Sequence, residues 1–276
     1  MEEIAFQQTR ALEATHWWFV GMRETYRMQI EPLGLGEGSR VLDVGCGTGG
    51  NLDLLERFGT TWGVDASFTA TSFVKGRGWS RIAVGSATDL PFPDGSFDLV
   101  TALGVIEHVE RDDLMLEEMR RVTRSGGHML IMTSAHPWLW SVHDDRVHHV
   151  RRYRRAELSD RVRAAGWRIE QNSYVNATLF PAVAVVRTLQ RLIPRRTFGT
   201  GPPHGRRADL PRRPWQRPAR RGGADYAGHR RRLMARGASR VISQYREPGA
   251  GSKAYLHLRW AVCPFDRLLP FIPREG

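Results

Sequence analysis

Cysteine is scarce in this chain of 276 residues, and long apolar runs are absent. The two cysteines, Cys46 and Cys263, lie far apart in the sequence, which excludes a disulfide framework and a cysteine-based zinc site. No apolar run reaches about eighteen residues, so a membrane-spanning helix is not expected. The N-terminal residues MEEIAFQQTR are acidic and polar, unlike a secretory signal. These absences favour a cytoplasmic protein.

Acidic residues are sparse only towards the C-terminus. The net charge of +12 suggests a nucleic-acid-binding protein. However, residues 1–194 hold 22 basic and 24 acidic side chains, whereas residues 195–276 hold 19 basic and 5 acidic ones. The segment 205–223, GRRADLPRRPWQRPARRGG, is typical of this second part. Because the basic excess lies outside the first 194 residues, we expect no nucleic-acid partner for them.

Short apolar segments alternate with segments of helical periodicity in the first part of the chain. Strands are predicted at 40–46, at 60–66, within 81–92, from 97, at 128–135 and at 167–175. Helices are predicted over 2–30, after 50, over 112–127 and over 156–166. This alternation predicts an α/β protein with a Rossmann-like, doubly wound and mostly parallel sheet that has helices on both faces. Such sheets bind ligands at the carboxyl ends of their strands.

A glycine-rich loop follows the first predicted strand. Residues 45–50, GCGTGG, satisfy the pattern G-x-G-x-x-G, which alone is weak evidence for a nucleotide cofactor. Asp43 lies just before this loop, where a carboxylate would repel the pyrophosphate of NAD but favour the cationic groups of S-adenosyl-L-methionine (SAM). Asp65 ends the second strand, where a carboxylate can accept both ribose hydroxyls of either cofactor. Asp89 is a candidate partner for the exocyclic amine of adenine.

Four motifs follow one another in the order and at the spacing typical of one enzyme group: VLDVGCGTGG, GVDAS, GSATDLPFPDGSFDLVTALGVIEHV and EEMRRVTRSGGHMLI. With them, the chain resembles the class I SAM-dependent methyltransferases of the type-11 group, which includes quinone-biosynthesis enzymes. HWWF at 16–19 and HPWLWSVHD at 136–144 resemble one bacterial branch of that group. The resemblance covers roughly residues 10–193 and implies the class I methyltransferase fold, with SAM as cofactor. The cofactor-binding residues that it implies are Asp43, Gly45, Cys46, Gly47, Gly49, Asp65, Ala66, Ala87, Thr88, Asp89, Leu103 and Gly104.

Methyl transfer requires little chemistry from the protein, because in-line positioning of the reacting atoms supplies most of the acceleration. A base is needed only where the acceptor must lose a proton. His108, after the fourth strand, is the candidate catalytic residue. No metal site is predicted, because the histidines and carboxylates of 141–155 follow no standard ligand spacing. The candidate substrate-facing residues are His16, Trp17, Trp18, His143 and Tyr153, with packing against the sheet or exposure to solvent as the alternatives.

These features predict an enzyme (EC 2.1.1.-) that moves a methyl group from SAM to a small-molecule or lipid-like acceptor. An RNA or protein methyltransferase, a non-catalytic SAM-binding protein and an NAD-dependent oxidoreductase are the alternatives. The apolar stretch 176–194 either pairs with the cover of the active site or contacts a membrane surface peripherally. The sequence does not determine the oligomeric state.

Three segments are expected along the chain. Residues 1–194 form the methyltransferase domain, with a helical cover at about 1–35. Residues 195–252 have an Arg/Pro/Gly-rich composition that is typical of disorder. A natural extension, a long insertion and translation out of frame would each produce such a segment. Residues 253–276 contain a possible closing strand and tail, because apolar residues alternate in KAYLHLRWAVC at 253–263.

Overall fold

The computed structural model describes residues 2–175, 181, 185 and 251–259. The predictions for the apolar stretch 176–194 and the basic segment 195–252 lie almost entirely outside the described residues. The same holds for the tail after residue 259. Among the described residues, no helix has both the length and the apolar character needed to cross a membrane.

Seven strands of the described part form one sheet in the order β3-β2-β1-β4-β5-β7-β6, with every neighbouring pair parallel. The chain runs outwards from β1 to β3 and then returns to add β4 on the other side of β1. Ligands of doubly wound sheets bind at this switch point. The predicted Rossmann-like α/β fold is confirmed. The strands are β1 (Arg40–Val44), β2 (Thr60–Asp65), β3 (Ile82–Val84), β4 (Phe97–Leu103), β5 (Thr123–Ser134), β6 (Arg168–Val175) and β7 (Lys253–Arg259).

Helices cover both faces of the sheet. Leu116 of the fifth helix and Leu158 of the seventh belong to the apolar core on one face, whereas Trp18 and Tyr26 of the second helix belong to the core on the other. The second, fifth and seventh helices bury apolar side chains against the sheet, which is the main source of stability for such helices. The helices are α1 (Glu2–Thr15), α2 (Trp17–Ile30), α3 (Leu52–Leu55), α4 (Phe68–Gly76), α5 (Asp112–Val122), α6 (Val142–Arg146) and α7 (Arg155–Ala164).

The central strands β1 and β4 are buried on both sides, as their nearly continuous apolar sequences predict. Val41, Leu42 and Val44 of β1 are at most 1% exposed, and Leu99 and Val100 of β4 are fully buried. The two strands are paired from Val41↔Leu99 onwards. Their carboxyl ends therefore lie side by side and bring the loops that follow them together.

The N-terminal region is helical over 2–30, as predicted, and consists of two helices. The break lies at His16, whose backbone is extended with φ −71° and ψ 129°. The Trp18 N–H donates to Nδ1 of His16 at 3.2 Å, so His16 caps the start of α2. A histidine in this role satisfies one of the unpaired N–H groups at a helix N-terminus.

The predicted boundary between the fifth helix and the fifth strand was wrong. The helix was expected to stop at Gly126 and Gly127, but α5 ends at Val122 and β5 begins at once with Thr123. The Thr123 hydroxyl donates to the carbonyl of Met119 at 2.6 Å and closes the last turn. The glycines instead lie where the β4–β5 register shifts, and Gly126 has a positive φ of 75° that favours glycine.

The strand β7 lies inside the sheet, between β5 and β6. Leu256 is paired with Ile131 of β5 on one side and with Asn172 of β6 on the other. Ala254, Leu256 and Leu258 are fully buried, in agreement with the alternation in the sequence. A strand from beyond residue 194 therefore completes the sheet.

Candidate active site

A cleft of about 340 Å³ opens at the carboxyl ends of β1 to β4. It is formed by four chain segments: Gly45 and Gly47 after β1, Asp65–Ser67 at the end of β2, Gly85–Ala87 after β3, and Gly104, Val105, His108 and Val109 after β4. Val44, Val64 and Ala70 complete its wall. Its volume lies within the range of about 300–1,000 Å³ that small-molecule sites occupy. The cleft therefore lies at the switch point of the sheet, where doubly wound folds bind their ligands.

The structure brings together about half of the predicted cofactor-binding residues. The residues that line the cleft are Gly45, Gly47, Asp65, Ala66, Ala87 and Gly104, and the candidate catalytic residue His108 lines it with them. The other predicted residues, Asp43, Cys46, Gly49, Thr88, Asp89 and Leu103, are not among the cleft-lining residues.

Asp65 is held at the mouth of the glycine loop by two backbone amides. The Gly47 N–H donates to Oδ2 at 2.9 Å, and the Ser67 N–H donates to Oδ1 at 2.8 Å. Each carboxylate oxygen can accept more than one hydrogen bond, so this arrangement fixes the carboxylate and leaves it able to accept hydroxyl donors.

The glycine loop approaches the segment after β4 too closely for a side chain at its first glycine. Gly45 has φ +74°, and a Cβ there would lie 2.6 Å from Cγ2 of Val105. The N–H groups of Gly45 and Cys46 both donate to the carbonyl of Val64, which folds the loop back over β2. The loop therefore depends on glycine for its conformation and for its contact with Val105.

Asp43 lies beneath the loop. Its side chain is almost fully buried, and it accepts a hydrogen bond from the Thr101 hydroxyl at 2.7 Å. Burial raises the pKa of Asp43 to about 7; the Thr101 hydrogen bond opposes this shift, and the nearby charge of Asp65 adds to it. At neutral pH this carboxyl is therefore only partly ionised.

The remaining predicted cofactor residues have packing or turn roles. Cys46 packs in the core against Leu52, and burial raises the pKa of its thiol above the ordinary value. Leu103 packs in the core on the α2 side of the sheet. The Thr88 hydroxyl is hydrogen-bonded to that of Ser86 at 2.8 Å. Gly49 packs near Leu52, Val74 and Arg77, and Asp89 is exposed in a turn closed on Ser86.

Sequence reasoning missed several residues of the wall: Ser67, Gly85, Ser86 and Val109. Ser67 had a readable signal, because a serine before an apolar helical segment is a common N-cap. Its hydroxyl accepts from the Ala70 N–H at 3.2 Å and caps the start of α4. Its own N–H donates to Asp65. The close approach of Val105 to Gly45 had no such signal, because this contact exists only after folding.

The loop 141–155 lies beside His108. The His108 ring lies 4.7 Å from the His149 ring, centroid to centroid, at an interplanar angle of 73°. Nδ1 of His149 is 2.7 Å from Oδ1 of the fully buried Asp144, which also accepts from Arg152 at 2.7 Å. Burial alone would raise the pKa of Asp144, but the hydrogen bonds from His149 and Arg152 hold it well below its usual range. This loop therefore carries an ionised buried carboxylate.

Tyr153 and His143 were predicted to face a substrate, but the structure buries both. Tyr153 is fully buried, and its hydroxyl donates to Oδ2 of Asp112 at 2.7 Å. Burial, followed by the charge of Asp112, raises the pKa of this phenol above the ordinary value. His143 is 8% exposed and contacts the His149 ring edge-on. Neither residue is among those that line the cleft.

The N-terminal residues His16, Trp17 and Trp18 are also absent from the cleft lining. Trp18 is buried in the core, His16 caps α2, and Trp17 is 62% exposed. The helix α1 nevertheless contacts the glycine loop through a residue that the sequence did not single out. The Thr48 hydroxyl donates to Oε2 of Glu13 at 2.5 Å, and burial raises the pKa of Glu13.

Within the residues that the structure describes, no group of three or more histidine, cysteine, aspartate or glutamate side chains is arranged to hold a metal ion.

Comparison with known proteins bears on the same region. Residues 42–131 match the family model described as a methyltransferase domain, Methyltransf_11. The chain is 39% identical over 107 residues to a fatty-acid O-methyltransferase of Mycolicibacterium smegmatis, covering 37% of this chain and 39% of that protein. It is 41% identical over 106 residues to a demethylmenaquinone methyltransferase of Mycobacterium sp. (strain KMS), covering 38% and 46%.

A third relative, an ajmaline N-methyltransferase of Rauvolfia serpentina, is 33% identical over 105 residues, covering 35% of this chain and 36% of that protein. The chain thus spans less than half of the length of these relatives. A solved SAM-dependent methyltransferase of Thermotoga maritima has a TM-score of 0.46 at 24% identity, covering 60% of this chain and 81% of that one. The matched segment identifies residues 42–131 as a methyltransferase domain of the type-11 group, whose cofactor is S-adenosyl-L-methionine.

Proposed function

We propose that this protein transfers the methyl group of SAM to a small-molecule or lipid-like acceptor. The observation that carries the proposal is the cleft at the carboxyl ends of β1 to β4, where Asp65 is fixed by the amides of Gly47 and Ser67. A carboxylate in that position suits a cofactor with a ribose diol. The match of residues 42–131 to the methyltransferase family supports SAM as that cofactor.

The residues of the cleft fit this cofactor. SAM, when bound, supplies a methyl group that is already activated by its sulfonium. Asp65 would accept the ribose hydroxyls, and Ser86 and Ala87, which follow β3, would border the adenine. The glycine loop leaves backbone atoms exposed for the methionine end, since Gly45 and Gly47 have no side chains. Gly104 and His108 would flank the methyl group, because the segment after β4 lies opposite the loop.

Asp43 contributes less to cofactor choice than its place in the sequence suggests. Its partly protonated, buried carboxyl lies behind the loop and repels a pyrophosphate less than a full charge would. Its role in the proposal is structural: it accepts from Thr101 and ties β1 to β4 under the glycine loop. The choice of SAM over NAD therefore rests on the family match.

The wall of the cleft supports an acceptor with apolar character. Val44, Val64, Ala70, Val105 and Val109 contribute apolar surface to it. The relatives named above act on a fatty acid, on demethylmenaquinone and on ajmaline, according to their names. Residues 1–194 carry no basic excess, which disfavours RNA as the acceptor. A protein acceptor and a non-catalytic SAM-binding role remain the alternatives, and peripheral contact with a membrane would suit a lipid-like acceptor.

Calorimetry with the full chain tests the cofactor. We expect S-adenosylhomocysteine to bind and NAD not to bind. Asp65→Ala should lower the affinity for S-adenosylhomocysteine by about 10- to 100-fold, because charge-assisted hydrogen bonds contribute about 1.5–3 kcal/mol. Asp94→Asn is the matched control, since Asp94 is an exposed carboxylate whose side chain is 81% accessible. Binding of NAD alone would refute the proposal.

Radiolabelled SAM incubated with a lysate tests the acceptor. After the reaction, the lysate is separated into lipid, small-molecule, RNA and protein fractions. We expect label in the lipid or small-molecule fraction, and less label when Asp65→Ala replaces the unaltered protein. Label confined to RNA or protein would contradict the proposed acceptor class, and tight SAM binding without any transfer would favour the non-catalytic alternative.

A further inference from the structure

A buried cluster of ionisable side chains packs behind the cleft wall, on the loop 141–155. Asp144 is fully buried and accepts hydrogen bonds from Nδ1 of His149 at 2.7 Å and from Nε and Nη2 of Arg152 at 2.7 and 3.1 Å. Arg152 also donates to the carbonyl of Ala135 at 3.0 Å, which anchors the cluster to the end of β5. Buried ion pairs add little stability compared with apolar packing, so stability alone does not explain this cluster. Its contacts instead suggest that it holds a neighbouring side chain in place.

The cluster reaches the cleft through a contact between two imidazole rings. The His149 ring, whose orientation is set by Asp144, packs against the His108 ring at 4.7 Å between centroids. The Val150 N–H donates to the carbonyl of Glu107 at 2.8 Å and ties the loop to the segment that holds His108. His108 in turn lines the cleft. The loop therefore determines where the His108 ring can lie.

One tautomer of His108 fits its surroundings. Its Nδ1 lies 3.4 Å from the carbonyl oxygen of His148. Because a carbonyl can only accept, this contact requires a proton on Nδ1, and in the neutral ring Nε2 then keeps its lone pair. A neutral imidazole in this state is a proton acceptor.

We propose that His149 and Asp144 are positioning residues that hold His108 as the proton acceptor for a substrate whose reacting group is a hydroxyl. This inference rests on the proposed methyl transfer. The hydroxyl proton passes to Nε2 of His108 while the oxygen forms its bond to the methyl carbon. The carbon–sulfur bond breaks, and its electron pair stays on sulfur. The products are a methyl ether, S-adenosylhomocysteine and a His108 imidazolium, which then returns its proton to solvent.

The acceptor class follows from which reacting groups benefit from a positioned base. A carboxylic acid is ionised at neutral pH and needs no base, whereas a hydroxyl with a pKa near that of a phenol, about 10, keeps its proton. A positioned base contributes about 10²- to 10⁴-fold for the hydroxyl alone. The charged and titratable groups facing His149 are Asp144, Arg152 and His143 from its own loop and His108 from the segment after β4. The His149 ring thus lies between the Asp144 carboxylate and the His108 imidazolium that would form.

Nitrogen-15 NMR of the complex with S-adenosylhomocysteine tests the positioning role. In the unaltered protein we expect His108 as a single tautomer with a bare Nε2. His149→Phe keeps a ring against His108 but loses the bond to Asp144, and Asp144→Asn removes the charge. Both should give a mixture of His108 tautomers, whereas Asp160→Asn, on the exposed side of α7, should not. A His108 that carries its proton on Nε2, or that stays a single tautomer in both variants, would overturn the proposal.

Kinetics with two defined acceptors supply the second readout. With labelled SAM and phenol, His149→Phe should lower kcat by about 10- to 100-fold with little change in KM, and with hexadecanoic acid it should change neither. Asp144→Asn, which keeps the His149 ring against His108, should lower kcat with phenol in the same direction and serves if the phenylalanine variant unfolds. Equal losses with both acceptors, or a change in KM alone, would refute the inference.

The two proposals can fail separately. Failure of the unaltered protein to bind S-adenosylhomocysteine in the calorimeter would refute the proposed function. The His108 tautomer in the protein without S-adenosylhomocysteine would still test the positioning role. If neither phenol nor hexadecanoic acid is methylated, the NMR result alone decides whether His149 and Asp144 orient His108.

Discussion

Replacement of Gly45 by alanine should destabilise the protein more than the same replacement at Gly47. Both glycines have a positive φ, +74° and +53°, so alanine is strained at either position. A Cβ at Gly45 would also lie 2.6 Å from Cγ2 and 2.9 Å from Cγ1 of Val105, whereas a Cβ at Gly47 would meet nothing within 4 Å. Gly47→Ala therefore measures the backbone strain, and the difference between the two variants measures the clash.

The expected magnitudes follow from these two terms. The left-handed conformation costs an alanine about 1–2 kcal/mol, which is the expected loss in the free energy of unfolding for Gly47→Ala. Overpacking of a well-packed site costs about 1–3 kcal/mol more, so Gly45→Ala should lose about 2–5 kcal/mol in total. Gly36→Ala, with an ordinary φ and open space around it, should change stability little.

A double-mutant cycle isolates the clash. Val105→Ala removes both methyl groups that the new Cβ would meet, so the pair Gly45→Ala/Val105→Ala should be more stable than the sum of the single changes predicts. Urea unfolding followed by fluorescence gives the four free energies, and calorimetry with S-adenosylhomocysteine shows whether the loop still binds cofactor.

The coupling energy between the two substitutions tests whether the close approach of Val105 explains the glycine at position 45. A value of about 1–3 kcal/mol in favour of the pair is expected. A coupling energy near zero would show that the loop moves away from Val105 at no cost, and the close approach would then not explain the glycine. Equal losses for Gly45→Ala and Gly47→Ala would refute the reasoning in the same way.

Two further predictions concern buried ionisable groups. Between pH 3.8, the ordinary pKa of Asp43, and about 7, its value in the folded protein, folded Asp43 keeps a proton that the unfolded chain has lost. The stabilising contribution of Asp43 is therefore complete below this pH range and falls by up to about 4 kcal/mol as the pH rises through it. Asparagine at this position does not titrate. Asp43→Asn should therefore gain stability relative to the unaltered protein when the free energy of unfolding is measured in urea from pH 4 to 7.5. No pH-dependent difference would contradict this. Tyr153→Phe should cost about 1–2 kcal/mol of stability, because Asp112 loses a hydrogen bond but keeps its ion pairs with Arg151 and Arg161. It should leave the KM of any methyl acceptor unchanged, whereas a raised KM would restore Tyr153 as a substrate-facing residue.

Most of the fold could be predicted because its signals are local. The strands β1 and β4 are short apolar runs, and the helices between strands show apolar residues at helical spacing, so the α/β class followed from periodicity. The boundary of α5 could not be read from glycines alone. The hydroxyl of Thr123 ends that helix early, and Gly126 and Gly127 instead occupy the register shift between β4 and β5.

The candidate site was predictable only where a residue follows directly from the end of a strand. Gly45 and Gly47 lie just after β1, Asp65 ends β2, and His108 lies in the segment after β4, and parallel strands bring those ends to one edge. Tyr153 was misplaced because a tyrosine in a polar loop gives no sign that Asp112, 41 residues away in sequence, will accept its hydroxyl in the core.

The sequence by itself determined the order of the elements, the glycine loop and the carboxylate that ends β2. Each depends on neighbouring residues and on backbone geometry. Only the tertiary structure decided which of these side chains share one space: the burial of Asp43 under the loop, the contact of Gly45 with Val105, the link from Asp144 through His149 to His108, and the place of β7 between β5 and β6. The physical reason is the same in each case. Burial and pairing depend on residues that are distant along the chain. A pattern of residue types shows which side chains need a hydrogen-bonding or packing partner, but it does not show which residue that partner is.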